Sequence, residues 1–313
     1  MALFLNDAEV TNLLSTVECV DILDDLFMQE AQGKVENLAR RRARLGRGVL
    51  MEMGGVVLGS GVAGVRFYGA GGKNLTTILN ADGGAVEAVL ETQTLSTMRT
   101  GAASGLATKY LAQPHASTVG IIGVGRQASY QLEAVCAVRS VKKVKVFSRT
   151  AEKREAWAKE MAAKLEIEVV PVESADEAVH ESRIIIAITN SATPVFDGEA
   201  VEPGTHINAA GGNSWQRREI DNTTIHRSAL VVVDNLEQAK TECGELIHAA
   251  EQGVFRWSQA VELKHVVSGH FARPFDTAVT LFESQGLGIE DVACCAVVIR
   301  KARELGIGTE LPF

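Results

Sequence analysis

The sequence predicts an α/β protein in two parts, and three observations carry that expectation. From Ser117 onward, short apolar runs alternate with helical stretches, the signature of βαβ units around a parallel sheet. Before that point, apolar runs follow one another across glycine-rich turns, which marks strands joined by short connections. The 313 residues, 46% hydrophobic and 22% charged, can bury a sizeable core and fit two domains. The same balance excludes a disordered, fibrous or disulfide-scaffolded chain.

Taken in order, Asn6 precedes Val10, Leu13 and Leu14 with Glu9 three residues on. A cap oxygen and a carboxylate so placed satisfy the free N–H groups of a starting helix. Val20, Leu23 and Phe27 follow Thr16 as cap and run out near Gly33, a second amphipathic helix. VLMEMGGVV, VAGVRFY, LTTILN and AVEAVL are strands, with turns at Gly59-Ser60-Gly61, Gly71-Gly72 and Asp82-Gly83-Gly84. Residues 94–112 carry Leu95, Met98, Ala102, Leu106 and Leu111 among many small residues, a helix packed closely on a neighbour and ended by Gln113-Pro114. The strands STVGIIGVG, VKKVKVFS, IEVVPV, RIIIAIT, THINAAG and ALVVVD follow. Helices run to about 139, from 150 to about 164 and around 175–180. The chain closes on a long helix, IEDVACCAVVIRKARELG, with the length and position to pack back onto the first part.

A net charge of −8 provides no electrostatic footprint for nucleic acid or an anionic membrane. No apolar run approaches the roughly 18 residues that span a bilayer, and acidic Asp7 and Glu9 near the start argue against a secretory signal. Cys19, Cys136, Cys243, Cys294 and Cys295 show neither CxxC spacing nor a disulfide framework, so reduced thiols and a cytoplasmic location are expected. The seven histidines show no metal spacing and read as surface or strand-end residues, so no metal is expected. The expected partners are a small molecule and other copies of the chain.

Gly123-Val124-Gly125-Arg126-Gln127-Ala128 is a GxGxxA that follows an apolar strand and opens an amphipathic helix. Gly123 permits the tight turn, Gly125 lets backbone N–H groups approach a pyrophosphate at the helix start, and Ala128 allows close helix–strand packing. This is the setting of a Rossmann dinucleotide-binding fold. The next strand ends at Ser148-Arg149-Thr150, where an NAD-type site places an acid for the ribose hydroxyls. Hydroxyls around a guanidinium suit a 2′-phosphate instead. NADP(H) is favoured on that ground, with NAD(H) as the alternative, and a loop arginine that merely stacks on adenine is the plainer reading of Arg149.

LSTMRTGAASGLATKYLAQPHASTVGIIGVGRQASYQLEAV, with QGKVENLARRRARL, VFSRT, PGTHINAAGGN, VVVDNLEQAKTECGEL and LFESQGLGIEDVACCAVVIRKA, resembles the ornithine cyclodeaminase and mu-crystallin family nearly end to end. The resemblance implies a homodimer. Residues 1–115 and 288–313 would form an α+β substrate and dimerisation domain, and 116–287 the Rossmann domain. It also implies hydride exchange between a nicotinamide and an amino-acid α-carbon through an imine, in reductases, dehydrogenases, cyclodeaminases or a binding crystallin.

Carried over residue by residue, the substrate-carboxylate arginines of the family fall on Arg40, or on Arg41 or Arg42 if the register slips, and on Arg99. Arg66 stands where the family has a lysine, and Asn213 where cyclodeaminases have an aspartate. These two are the expected catalytic positions. Thr100, Arg126, Gln127, Thr189, Asn190 and Gly211 join Gly123, Gly125, Ala128, Ser148, Arg149 and Thr150 as expected cofactor contacts. The two departures have chemical meaning. Asn213 cannot serve as the base that cyclisation of ornithine needs, and Arg66 stays charged where lysine can be neutral. Arg66 adds a planar fork for carboxylate, so with Arg40 and Arg99 it suits an imine carrying two acid groups, of the iminosuccinate kind. The expected activity is NAD(P)H-dependent reduction of an imino acid to an L-amino acid. Each residue also has a plainer reading: the arginine run as a solvated face, Arg99 as a buried ion-pair partner, Asn213 as a loop cap, and Glu91 and Asp291 as structural counter-charges.

Overall fold

The computed structural model describes residues 1–69 and 71–312. In chain order the elements begin β1 (Leu3–Leu5), α1 (Asp7–Leu13), α2 (Thr16–Ala31), β2 (Val35–Arg44), β3 (Val49–Val57), β4 (Val62–Gly69), β5 (Leu75–Asn80), β6 (Val86–Glu91) and α3 (Leu95–Leu111). They continue β7 (Thr118–Ile122), α4 (Ala128–Val138), β8 (Lys143–Phe147), α5 (Ala151–Leu165), β9 (Glu168–Pro171), α6 (Ala175–Val179), β10 (Ile184–Ala187), β11 (His206–Ala209), α7 (Asn222–Arg227) and β12 (Ser228–Val233). They end α8 (Leu236–Glu242), α9 (Gly244–Glu251), β13 (Ala260–Glu262), α10 (Leu263–Val267), β14 (Val279–Glu283), α11 (Gly288–Leu305) and β15 (Thr309–Glu310). Two compact units result, Met1–Arg99 with Gly286–Phe313, and Thr100–Gln285.

The first unit is a seven-stranded mixed sheet in the order β15-β1-β6-β5-β4-β3-β2. Strands β2 to β6 pair antiparallel in sequence, and β1 joins β6 in parallel. Helix α11 packs on one face, as its length and position lead one to expect. Its start lies against backbone, because a Cβ on Gly288 or Gly55 would overlap Gly54 or Ile289. The opposite face carries Leu38, Phe67 and Leu75, all exposed, with Phe67 directly across from Leu75 and Val65 and Leu38 flanking Gly54. The cap of α1 is the expected Asn6–Glu9 box; that of α2 is Ser15, whose hydroxyl accepts from Glu18 N, with Thr16 already inside the helix. The arginine-rich stretch Val35–Arg44 is a strand although it lacks apolar alternation, since β3 supplies partners for Val35 to Leu38 and for Arg41 to Arg44, with a register shift between the two runs.

The second unit is an eight-stranded sheet in the order β13-β12-β14-β11-β10-β7-β8-β9, with every pairing parallel. Strands β10 and β11 are buried along their whole length, as befits a parallel sheet covered on both faces. The chain runs outward one way from β7 through β8 and β9, and the other way from β10, so the topological switch lies between β7 and β10. Strand β14, VTLFE, and the short β13 complete the sheet beyond the alternating runs read from the sequence. From Thr100 on, α3 counts with this unit, where the sequence reading set the boundary at 115/116. The small residues of α3 explain the difference. A Cβ on Gly105 would press on Ala134 of α4, so the two helices nearly touch backbone to backbone. No helix among the described residues is long and apolar enough to cross a membrane.

Candidate active site

In the first unit the three arginines singled out in the sequence converge on the start of α11. A shift in register between Leu38 and Arg41 selects one arginine from the run. Arg40 turns inward, its Nη2 2.9 Å from Gly286 O and 3.6 Å from Met53 Sδ, while Arg41 and Arg42 stay exposed. Met53 is the cross-strand partner of Arg66, so Arg40 and Arg66 flank one side chain. Arg66 is 5% exposed; its Nη1 donates to the Asp291 carboxylate at 3.3 Å, and its guanidinium lies 4.3 Å over the ring of Tyr68. Arg99, 3% exposed, donates to Glu290 Oε2 at 2.7 Å and reaches Asp291 Oδ2 at 3.2 Å. Gly286, at φ +75°, could carry no side chain, because a Cβ would overlap the Arg99 guanidinium.

Burial acts against the charge of both arginines. It pulls Arg66 below the ordinary arginine value, with Asp291 offsetting it in part and Arg99 adding like charge. For Arg99, Asp291 and Glu290 outweigh burial and hold it above the ordinary value. Asp291 is therefore a counter-charge, as one reading of the sequence had it, and it serves two cations. The Nε groups of Arg66 and Arg99 are buried and make no hydrogen bond, which leaves each fork a donor for an anion. Glu91 pairs with Lys73 near the surface. A cavity of about 910 Å³ in this unit borders the later turns of α11, from Ala293 to Glu304, and none of the three arginines lines it.

In the second unit the glycine loop follows β7. Gly123 adopts φ +109°, and a Cβ there would overlap Ile188 O. Nothing lies within 4 Å of a Cβ position on Gly125, so the loop is open where a ligand would approach. Helix α4 starts without a side-chain cap, and Gln127 Oε1 is buried without a partner. The uncapped first turn of α4 and the exposed Gly125 fit a pyrophosphate. Ala128 is fully buried. After β8, Ser148 Oγ donates to Thr150 O at 3.3 Å, and Arg149 and Thr150 are exposed. Arg154, which the sequence reading passed over, supports this turn through Ser148 O and an ion pair to Glu173. Thr189 and Gly211 follow the neighbouring strands β10 and β11 and both bond Glu219. Asn190 and Arg126 are exposed, Asn213 is half-buried, and Thr100 is a buried residue of α3 whose carbonyl accepts from Gln131.

Sequence reasoning also missed a buried acid group. Glu219, Glu245 and Glu283 are each within 2% of full burial, and burial pushes all three carboxyls up, Glu219 to about 7. Their nearest signal is REI and GEL in an otherwise polar stretch, which by itself reads as loop and helix cap. The expectation that the histidines are surface or strand-end residues needs correction at His206. It starts β11 but is fully buried between Thr280 Oγ1 and Asn208 Oδ1 and is pushed down to about 3 by burial, hence neutral.

Three known proteins frame this arrangement. The chain is 39% identical over 228 residues, 72% of its length and 70% of the relative's, to a Δ1-pyrroline-2-carboxylate reductase of Bacillus cereus. It superposes on an archaeal alanine dehydrogenase dimer with bound NAD at a TM-score of 0.91 and 32% identity, over 100% of this chain and 99% of that one. The iminosuccinate reductase of Paracoccus denitrificans, in complex with NAD+, gives a TM-score of 0.94 at 27% identity, over 100% and 99%. A family model described as ornithine cyclodeaminase/mu-crystallin matches residues 1–306, and with it the chain belongs to the ornithine cyclodeaminase/mu-crystallin family.

Proposed function

We propose that the protein reduces an imino acid to an L-amino acid with NAD(P)H and runs in reverse as an amino-acid dehydrogenase. The observation that carries this reading is the pair of buried guanidinia, Arg66 and Arg99, fixed by Asp291 and Glu290 with their Nε donors still available. They make a permanent cationic seat for a carboxylate. Position 66 holds no amine that burial could neutralise, and position 213 holds an amide. A base for cyclodeamination is thus missing at both places, whereas hydride addition to an imine does not require one there. The names of the relatives, reductases of a cyclic ketimine and of iminosuccinate, support the same class.

When bound, the nicotinamide supplies the hydride. Gly123, Gly125 and Ala128 admit the pyrophosphate at the start of α4, with Arg126, Gln127, Thr100, Thr189, Asn190 and Gly211 as further contacts. Ser148, Arg149 and Thr150 take a 2′-phosphate, so NADPH binds more tightly than NADH. Arg40, Arg66 and Arg99 hold the substrate carboxylates, and the added fork of Arg66 favours an imino dicarboxylate. Asn213 orients the imine without removing its proton. The apolar face bearing Leu38, Phe67 and Leu75 serves a homodimer, in keeping with the dimer of the archaeal dehydrogenase. The test is nicotinamide absorbance with Δ1-pyrroline-2-carboxylate, iminosuccinate and α-keto acids plus ammonia, each with NADPH and NADH. Consumption with at least one imine is expected; none with any of them overturns the reading.

A further inference from the structure

A single carboxylate ties together the loops that follow β10 and β11. Glu219 is 1% exposed; Oε1 accepts from the backbone N–H of Thr189, and Oε2 from that of Gly211 at 2.7 Å. Strands β10 and β11 are parallel neighbours, Ala187 beside Ala209, so one side chain staples both carboxyl-terminal ends at the edge of the sheet where such folds bind ligands. The fit is close. A Cβ on Gly211 would overlap both Thr189 O and the Glu219 carboxylate. The staple adjoins the glycine turn as well, because a Cβ on Gly123 would overlap Ile188 O and lie 3.1 Å from Thr189 Cγ2.

We propose that Glu219 is the positioning residue for the nucleotide: ionised, it holds both loops in the binding shape, and protonated, it releases one of them, so nucleotide affinity falls in acid. This rests on the reading that Thr189 and Gly211 meet the nucleotide. The chemistry is direct. A carboxylate accepts at both oxygens, whereas a carboxylic acid turns an O–H toward one of two N–H donors and loses that bond. The groups facing Glu219 make the change accessible near neutrality. From α9, Glu245 accepts from the Glu219 backbone N–H at 2.7 Å; from the end of β14, Glu283 is itself pushed well up by burial and by the nearby Glu245, Glu219 and Asp234. Arg218, on the same loop as Glu219, acts on Glu245. Burial pushes the Glu219 carboxyl up to about 7, the backbone bonds from Thr189 and Gly211 hold it down in part, and Glu245 pushes it further up.

The experiment is NADH binding by nucleotide fluorescence between pH 8 and pH 6. NADH is the probe because it lacks a 2′-phosphate that would itself titrate. The wild-type Kd is expected to rise about tenfold as the competent fraction falls with protonation. Glu219→Gln, which offers an NH2 to one of the two N–H groups, should bind weakly at pH 8 and change little down to pH 6. Glu245→Gln keeps an acceptor for Glu219 N but removes the like charge, and should move the midpoint to lower pH. Tight NADH binding with a flat wild-type profile overturns the staple while leaving the nucleotide reading intact. So does a Glu219→Gln profile with the wild-type slope. Absence of binding of both NADH and NADPH at every pH overturns both. If Glu219→Gln does not fold, the wild-type profile and the Glu245→Gln midpoint decide.

Discussion

The two units bury charge in opposite ways. In the first, two cations meet two anions: Asp291 bridges Arg66 and Arg99, and Glu290 completes the set. In the second, Glu219, Glu245 and Glu283 lie close together, without a buried cation among them in the described residues; backbone N–H groups hold Glu219 and Glu245, and burial pushes all three carboxyls up. Guanidinia fixed by carboxylates keep their remaining N–H donors in place and can present them to an anionic substrate. An acid cluster keeps protons that water would otherwise take, and its geometry depends on whether they are present. The difference assigns permanence to the arginine site and adjustability to the loops proposed to bind the nucleotide.

Four substitutions break or sharpen that contrast. Asp291→Asn should have the largest effect, since it leaves two buried guanidinia undercompensated; about 3 to 5 kcal/mol of stability should be lost by urea denaturation. A loss below about 1 kcal/mol would show that the guanidinia find other partners.

Glu219→Gln comes next, and its signature is pH. The folded-state carboxyl sits at about 7 against an ordinary 4.5, so between these values the folded chain holds a proton that the unfolded chain releases. Its stabilising contribution is therefore present in acid and lost as pH rises toward and through 7. Relative to Glu219→Gln, the wild type should lose about 2.5 kcal/mol between pH 5 and pH 8. Buried His206 acts in the opposite direction over an overlapping window, but it is common to both proteins and cancels in the difference. Stability and NADH affinity would then move in opposite directions with pH, which a matched ion pair cannot produce.

Arg149→Ala should weaken NADPH about tenfold or more, on the order of 1.5 to 3 kcal/mol, and NADH far less. Equal losses by titration would remove the 2′-phosphate assignment. The smallest effect is expected of Arg66→Lys, which loses the planar fork. It should lower kcat/KM for an imino dicarboxylate by about 1 to 2 kcal/mol more than for the imine of pyruvate. Equal losses would make Arg66 a ligand of the shared carboxylate alone.

What could be read from the sequence follows the same division. The glycine loop is legible because close backbone approach demands Gly123 and Gly125 at a set spacing, and the helix of 288–305 because its apolar period is long. The bend that turns Arg40 inward is not, since three consecutive arginines carry no periodicity and only the ladder to β3 shows which one faces Met53. The staple is hidden for a different reason. Glu219 bonds backbone groups 30 and 8 residues upstream, and a backbone N–H has no sequence signature. Strand β14 is short and wholly buried, so it lacks the alternation that marks a half-exposed strand.

The central claim is that Arg66 and Asn213 leave the protein an imine reductase and not a cyclodeaminase. Incubation with ornithine and catalytic NAD+, followed by analysis for proline and ammonium, tests it most directly. The account predicts no enzyme-like turnover from a preparation that consumes NAD(P)H with an imino acid, whereas proline and ammonium formed at an enzyme-like rate would contradict it.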